Sequence, residues 1–201
     1  MAKRLFDLVV ALLALLLLSP LLAAVALAIK LDSPGPVFFR QRRVGRHGRE
    51  FLIHKFRTMV VDAPQRGLAL TVGADPRITR IGQRLRATRL DELPQLLDVL
   101  AGHMSLVGPR PEVPHYVARY PVELRDRVLA VRPGITDPAS LAGLDEAATL
   151  AAAADPEREY IETVMPRKLR LAADYAERAS LRTDLVVLLR TVGTLLARAR
   201  P

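Results

Sequence analysis

The chain has 201 residues, a length that allows one domain with a core of its own and a membrane segment besides. Half of the residues are hydrophobic and 4% are aromatic, and the abundance of alanine and leucine favours helix over sheet. The absence of cysteine excludes disulfides, thiolate metal sites and cysteine nucleophiles. A formal charge of +9 indicates an anionic partner, and nucleic acid, lipid headgroups and phosphorylated substrates are the candidates.

An uncharged apolar run, residues 8–29, follows the basic residues Lys3 and Arg4. As a helix its 22 residues would span about 33 Å, enough to cross a hydrocarbon core. The run is too long for a typical signal peptide, and the seven Lys and Arg residues between positions 40 and 57 would oppose export. We therefore expect residues 1–32 to form a retained membrane segment and residues 33–201 to form a cytosolic, interfacial domain.

Ser19 and Pro20 lie in the middle of this run. Proline removes one helical hydrogen bond, so a bend is expected there, and the serine hydroxyl can satisfy a carbonyl freed by the break. Basic residues flank both ends of the run, and the positive-inside tendency would place both ends in the cytoplasm. A helix-break-helix hairpin in one leaflet satisfies that tendency. A kinked single-span anchor is the alternative, and the residues alone favour the hairpin only slightly.

Two short apolar segments, residues 37–39 and 51–53, follow a turn cluster at 33–36 and are predicted to pair as a small β-hairpin. The arginine-rich link between them is typical of contact with anionic lipid. Lys55 and Arg57 come directly after the second segment. They are candidates for pointing inward at a phosphate.

Residues 77–89 contain five arginines and no acid. Ile78, Ile81 and Leu85 recur at helical spacing, which predicts a helix with one buried face. This basic segment raises nucleic-acid binding as a second alternative. The scarcity of aromatic residues and the lack of a known binding motif argue against it, so no nucleic-acid partner is expected.

Adjacent carboxylates, Asp91 and Glu92, directly follow these arginines. With Thr88 as a cap, they would occupy the first turn of a helix that ends near Gly102, where the helix dipole keeps a carboxylate ionised. Acids in a first turn are often merely stabilising, and this is the ordinary interpretation. We favour a reacting pair, because an anionic nucleophile that attacks a phosphate needs nearby cations to offset the repulsion.

Cations do lie on both sides of the pair. Arg86 and Arg89 precede it, and Arg110 follows between two prolines. One acid would then attack phosphorus while the other binds a metal or moves a proton. No other catalytic scheme is visible, since the glycine-rich phosphate motifs are missing and the four histidines lack metal-ligand spacing.

Six segments occur in an informative order: KRLFDLVVALLALLLLSP, SPGPVFFRQRRVG, HKFRTM, LRATRLDELPQLLDVLAGHMSLVGPRPE, VRPGIT and SLRTDLVVLLRT. In this order the chain resembles the bacterial sugar transferases, small monotopic phosphoglycosyl transferases that load a sugar-1-phosphate onto polyprenyl phosphate. The segments span nearly the whole chain. The acid pair, VGPRP and the N-terminal Ser-Pro together form a specific signature.

The resemblance implies a reaction. Asp91 would attack the β-phosphate of a UDP-sugar, expel UMP and carry a covalent aspartyl-phosphosugar, which polyprenyl (undecaprenyl) phosphate would then attack. Glu92 would aid the metal or deprotonate the lipid phosphate. Mg²⁺ is the cofactor that the family uses, with Asp91 as the first protein ligand and Glu92 as the second.

Further roles follow from the same resemblance. Lys55, Arg86 and Arg110 match the phosphate-contacting cations of the family, and Arg57 is a further candidate. Ser19 and Pro20 match the break that makes the membrane helix re-entrant, which decides for the hairpin. The implied location is the cytoplasmic face of the bacterial inner membrane.

One segment departs from many family members. Asp137, Pro138, Ala139 and Ser140 stand where those members have a glycine–tryptophan stretch. The chain therefore looks like part of a subgroup linked to exopolysaccharide or capsule assembly, and the identity of the sugar stays open.

The C-terminal third is predicted to be helical, with Ser180 capping a last helix. Its apolar face would comprise Leu181, Leu185, Leu188, Val192, Leu195 and Leu196. We expect this face partly to pack on the core and partly to lie among lipid headgroups.

These observations predict an α+β fold, mostly helical, in which amphipathic interfacial helices surround a compact catalytic domain. The expected partners are a UDP-sugar, polyprenyl phosphate and membrane lipids. A homodimer is compatible with an interfacial enzyme, although no motif requires one. The alternative from another functional class is a non-catalytic basic membrane adaptor.

Overall fold

The computed structural model describes residues 1–66, 70–142 and 146–198, apart from the side chains of Ala147, Leu195, Leu196 and Arg198. The helices are α1 (Ala2–Asp32), α2 (Arg80–Thr88), α3 (Gln95–Leu100), α4 (Pro114–Val117), α5 (Val122–Leu129), α6 (Pro138–Leu141), α7 (Glu146–Ala152), α8 (Pro156–Glu159), α9 (Met165–Arg178) and α10 (Leu181–Arg198). The strands are β1 (Phe38–Val44), β2 (Glu50–Phe56), β3 (Ser105–Val107) and β4 (Gly134–Thr136).

Two small sheets lie among these helices. β1 and β2 pair antiparallel, with Phe38 opposite Phe56 and Val44 opposite Glu50. β3 and β4 form a short parallel pair. The mostly helical fold and the hairpin are therefore confirmed, although the hairpin strands are longer than predicted because pairing continues through the arginine-bearing positions. The parallel pair was not predicted, since strands of three residues are too short to show a period.

α1 is the one helix in the described ranges that is long and apolar enough to cross a membrane. It remains helical through Ser19 and Pro20, where the sequence predicted a break. Pro20 has no N–H to offer the carbonyl of Leu16, and the Ser19 hydroxyl donates to that same oxygen at 2.8 Å. The predicted compensation by serine is confirmed, since the carbonyl of Leu16 keeps a hydrogen-bond partner although the proline cannot donate to it.

One face of α1 packs against the rest of the protein near both of its ends. Near its start, Ala11 is fully buried in a cluster with Ile53 and Val99. Near its end, Val25 and Ile29 are buried in a second cluster, which contains Phe56 and Leu85. The helix is thus part of the same packed body as the hairpin.

Polar contacts fix the two ends of α1 as well. Asp7 is buried and accepts hydrogen bonds from the Ser105 hydroxyl, at 2.8 Å, and from the backbone N–H of Leu106. Asp32 accepts a hydrogen bond from the backbone N–H of Ile81 at 3.1 Å. A buried carboxylate is costly unless it is paired, so these bonds restrict the position of the helix. The opposite face of α1 is apolar and exposed, through Leu5, Val9, Leu12, Leu13, Leu16, Leu17, Leu27 and Leu31.

α10 packs beside the start of α1. Ser180 caps it, as predicted, by accepting a hydrogen bond from the N–H of Thr183. Asp184 is buried and accepts from Lys3 of α1 and from the Tyr175 hydroxyl. Leu188 packs on the core, as expected for one part of the predicted apolar face. Other residues of α10 stay exposed, namely Leu185, Val186, Leu189 and Val192.

α2 closely approaches the chain that leaves β2. A Cβ built on Gly82 would lie 2.0 Å from the carbonyl oxygen of Thr58, and the N–H of Thr79 donates to that oxygen at 3.0 Å. Only glycine fits at this contact, because the backbone of residue 58 cannot move away without losing the hydrogen bond. The contact fixes α2 beside β2.

We expect Gly82→Ala to destabilise the protein by about 1–3 kcal/mol, because overpacking here outweighs the helix propensity of alanine. Gly193→Ala is the matched control, since Gly193 lies in α10 with no atom within 4 Å of the added Cβ. That variant should be as stable as the wild type or more stable. Thermal unfolding in detergent measures both, and equal melting temperatures for the two variants would contradict the close contact.

Candidate active site

Both acids of the predicted pair lie in a single 3-10 turn, Leu90–Glu92, between α2 and α3. Thr88 does not cap the following helix, so that prediction was wrong. It ends α2 instead, and its hydroxyl donates to the carbonyl of Arg84 at 2.8 Å. Arg89 then adopts a left-handed conformation with φ of 59°, which stops α2 and redirects the chain. The helix that follows begins only at Gln95.

Glu92 is held by two cations. Its Oε1 accepts hydrogen bonds from Lys55 Nζ at 2.8 Å and from an Arg110 nitrogen at 2.5 Å, and its Oε2 accepts a second Arg110 bond at 3.3 Å. Lys55 lies on β2 and Arg110 follows β3, so this carboxylate joins three parts of the chain. The site therefore brings together three of the residues that the sequence singled out.

The charges of these groups are strongly coupled. Burial alone would raise the pKa of Glu92, but Arg110 and Lys55 outweigh it and hold that pKa well below its usual range. Burial, together with Arg110, lowers the pKa of Lys55 to about 8 against the opposing effect of Glu92. Glu92 raises the pKa of Arg110 above its usual value. Glu92 is thus a fixed anion and a poor proton acceptor.

Asp91 differs from its neighbour. Its side chain is 8% exposed, and its Oδ1 has no hydrogen-bond partner among the described residues. Burial, and next the charge of Glu92, raises the pKa of Asp91, while Lys55 and two arginines oppose that rise. A carboxylate oxygen that no described protein group engages keeps its lone pairs available. Asp91 is therefore the candidate nucleophile of the pair.

Arg86 lies on the α2 side of the site. It donates to the hydroxyls of Thr58, at 2.9 Å, and Thr71, at 3.0 Å. Burial lowers its pKa, and the negative charge of Asp91 partly offsets this. Arg86 thus adds a further positive charge near Asp91.

Arg57 is placed differently. Its guanidinium is buried and donates to the Ser33 carbonyl at 2.7 Å, to the Ser33 hydroxyl at 2.9 Å and to the Pro34 carbonyl. These bonds tie the chain that leaves α1 to the end of β2. The structure does not bring Arg57 to Glu92, and a phosphate contact by Arg57 stays a prediction.

Two polar residues on α3 were missed in the sequence. Asp98 is 1% exposed and accepts from the backbone N–H of His54, at 2.8 Å, and from His54 Nδ1, at 2.7 Å. Gln95 is equally buried. Their spacing was the available signal, because Glu92, Gln95 and Asp98 recur every three residues within an otherwise leucine-rich helix.

The residues fit a magnesium ion only in part. Among the described residues, no group of three or more His, Asp and Glu side chains is placed to hold a metal. Magnesium often takes one or two protein carboxylates and completes its shell with water and substrate phosphates. Asp91, with its free oxygen, fits that requirement. Glu92 would first have to give up its bonds to Lys55 and Arg110.

Comparison with known proteins decides the family. The bacterial sugar transferase family matches residues 1–198. The chain belongs to the bacterial sugar transferase family. The resemblance predicted from the sequence is confirmed, and so is the prediction that the protein is an enzyme.

Named relatives of this transferase share most of its length. A UDP-glucose:undecaprenyl-phosphate glucose-1-phosphate transferase of Caulobacter vibrioides is 44% identical, over 96% of the chain and 69% of the relative. A UDP-N-acetylgalactosamine-undecaprenyl-phosphate N-acetylgalactosaminephosphotransferase of Aeromonas hydrophila is 40% identical, over 96% of the chain and 43% of the relative. A UDP-glucose:undecaprenyl-phosphate glucose-1-phosphate transferase of Escherichia coli K12 is 46% identical, over 70% of the chain and 31% of the relative.

The two acids should respond oppositely to loss of charge. Glu92→Gln leaves the partly buried Lys55 and Arg110 without their counter-ion, so we expect it to destabilise the transferase by about 3 kcal/mol. Asp91→Asn should leave stability unchanged or raise it. A raised folded-state pKa means that ionised Asp91 costs stability once the pH has risen above that value, and asparagine removes the cost.

Thermal unfolding of both variants at pH 7 measures this difference. A large loss of stability in Asp91→Asn, or none in Glu92→Gln, would contradict the assigned environments.

Proposed function

We propose that this transferase moves a sugar-1-phosphate from a UDP-sugar to undecaprenyl phosphate and releases UMP. The observation that carries the proposal is the unpartnered Oδ1 of Asp91, buried beside a glutamate that two cations already neutralise. The names of the relatives support the substrate classes, since each name pairs a UDP-sugar with undecaprenyl phosphate.

In the first step an Asp91 oxygen attacks the β-phosphorus of the UDP-sugar. A bond forms between that oxygen and phosphorus, and the bond from phosphorus to the bridging oxygen breaks. UMP leaves with the electron pair, and the sugar phosphate stays on Asp91 as an acyl phosphate. Lys55, Arg86 and Arg110 supply the positive charge that an attack between two anions requires.

In the second step an oxygen of undecaprenyl phosphate attacks the same phosphorus. The bond between phosphorus and Asp91 breaks, the carboxylate is restored, and undecaprenyl-diphosphosugar is the product. Glu92 serves both steps by holding Lys55 and Arg110 in place. Its strongly lowered pKa makes it a weak base, so we assign it no proton transfer.

Magnesium is the proposed cofactor. Asp91 would be its protein ligand, and the bound ion would neutralise negative charge on the diphosphate of the UDP-sugar as UMP departs. In its ionised form Asp91 would be able both to bind a cation and to attack phosphorus.

The proposed placement is monotopic, on the cytoplasmic face of the inner membrane. Asp7 and Asp32 at the two ends of α1 bond to the same packed body, which is difficult to reconcile with a helix that carries one end across a bilayer. The exposed leucine face of α1 would enter one leaflet, with the Ser19–Pro20 position as its re-entrant bend. Exposed Arg40 and Arg42 of β1 would meet anionic headgroups.

The product suits the first membrane step of exopolysaccharide or other glycoconjugate assembly. An exopolysaccharide production protein of Rhizobium leguminosarum is 48% identical over 71% of the chain, which supports this assignment. The relatives named above use different sugars, so the sugar is to be found by experiment.

The test is UMP release by the purified protein with Mg²⁺, undecaprenyl phosphate and a panel of UDP-sugars. We expect one sugar or a small group to be turned over by the wild type, and Asp91→Asn to release no UMP. Asp126→Asn is the control, because this exposed carboxylate lies on α5 outside the site. It should keep wild-type activity.

Absence of UMP release with every sugar would contradict the proposal, as would full activity of Asp91→Asn. Lipid binding that persists without any turnover would instead support a membrane adaptor.

A further inference from the structure

The chain from residue 90 to residue 100 follows one helical path. Leu93 and Pro94 join the 3-10 turn to α3, and their φ angles of −56° and −59° are helical. Positions three or four residues apart therefore share a face. Glu92, Gln95 and Asp98 lie on one such face.

The direction of this face is fixed by its outer members. Glu92 bonds to Lys55, and Asp98 bonds to His54, so both point at the same end of β2. Gln95 lies between them and is 1% exposed. Its amide is therefore enclosed between the helical path and the strand that carries Lys55.

Two buried polar atoms on this path have no hydrogen-bond partner within the described ranges. One is Nε2 of Gln95, a donor, and the other is Oδ1 of Asp91, an acceptor. The backbone N–H groups of Glu92, Leu93 and Leu96 each donate to the carbonyl three residues earlier, so this stretch has 3-10 geometry and Gln95 lies one turn after Glu92 on the same face. Helical side chains lean toward the N-terminus, so the amide of Gln95 leans toward Glu92, the neighbour of Asp91, and the two cations bonded to it.

An unpaired buried donor destabilises a folded protein, and it persists where a ligand completes it. The oxygens of a phosphoryl group joined to Asp91 would bring hydrogen-bond acceptors to this cluster of Glu92, Lys55 and Arg110. A neutral amide there would stabilise charge on the transferring phosphate without adding a further cation to the site.

We propose that Gln95 is a catalytic residue whose side-chain N–H donates to a non-bridging oxygen of the phosphoryl group bound at Asp91. The inference rests on the proposed function. In this role the amide would stabilise the transition state, whereas in the free protein its unpaired N–H lowers stability.

Gln95→Leu separates these two effects. It removes the donor at similar size, so the free protein should melt at the same temperature as the wild type or higher. UMP release should nevertheless fall about a hundredfold, mainly in kcat rather than in KM for the UDP-sugar. A residue that only fills space would give no such combination.

Gln83→Leu is the matched control. Gln83 lies exposed on α2, so the same chemical change there should leave both melting temperature and UMP release at wild-type values. Gln95→Met provides a second, more flexible replacement should leucine prevent folding, and the same loss of kcat is expected.

The outcomes distinguish the two proposals. Wild-type activity in a folded Gln95→Leu or Gln95→Met protein would overturn the role of Gln95 and leave the proposed function standing. Failure of both variants to fold would also overturn it, by showing that the amide serves the fold. Absence of UMP release from the wild type and from Gln83→Leu would refute the proposed function itself.

Discussion

The ion pairs of Glu92 with Lys55 and Arg110 are the interaction on which the site depends. They join β2, the turn before α3 and the chain after β3 at one buried carboxylate. Because Glu92 satisfies both cations, its neighbour Asp91 stays beside positive charge without being bound by it. Two adjacent acids of the same chemical type thereby acquire different properties, one fixed as an anion and one left with a free oxygen.

The end of β2 couples this site to α1. Four consecutive residues point to four different places: Lys55 to Glu92, Phe56 to the core beside α1, Arg57 to the turn that leaves α1, and Thr58 to Arg86. A displacement of α1 would therefore also move Lys55 and Arg86, two cations of the site. With the proposed lipid substrate, this arrangement would hold the catalytic groups at a constant position relative to the membrane surface.

Much of this was predictable from the sequence because charge and periodicity are local properties. The acid pair, its flanking arginines, the hairpin and the helix of residues 80–88 all follow from residues close together in the chain. Thr88 was misassigned because a threonine followed by an acid three positions later is typical of a helix cap. The left-handed conformation of Arg89, which ends α2, has no comparable signal in the sequence.

Other features depend on distant partners. The bonds of Arg57 to Ser33 and Pro34 join segments more than twenty residues apart, which the sequence does not reveal. The parallel pairing of β3 with β4 joins segments that are too short to predict. The roles of Asp98 and Gln95 depend on the strand that they face, which lies some forty residues earlier in the chain.

The central claim is that a phosphosugar becomes attached to Asp91 during turnover, and intact-protein mass spectrometry tests it most directly. The protein is mixed with its UDP-sugar in the absence of lipid acceptor, quenched, and its adduct located by peptide mapping. The account predicts a mass increase of one sugar phosphate on residue 91, which disappears when undecaprenyl phosphate is added. An active protein that never carries this adduct, or carries it on another residue, would contradict the account.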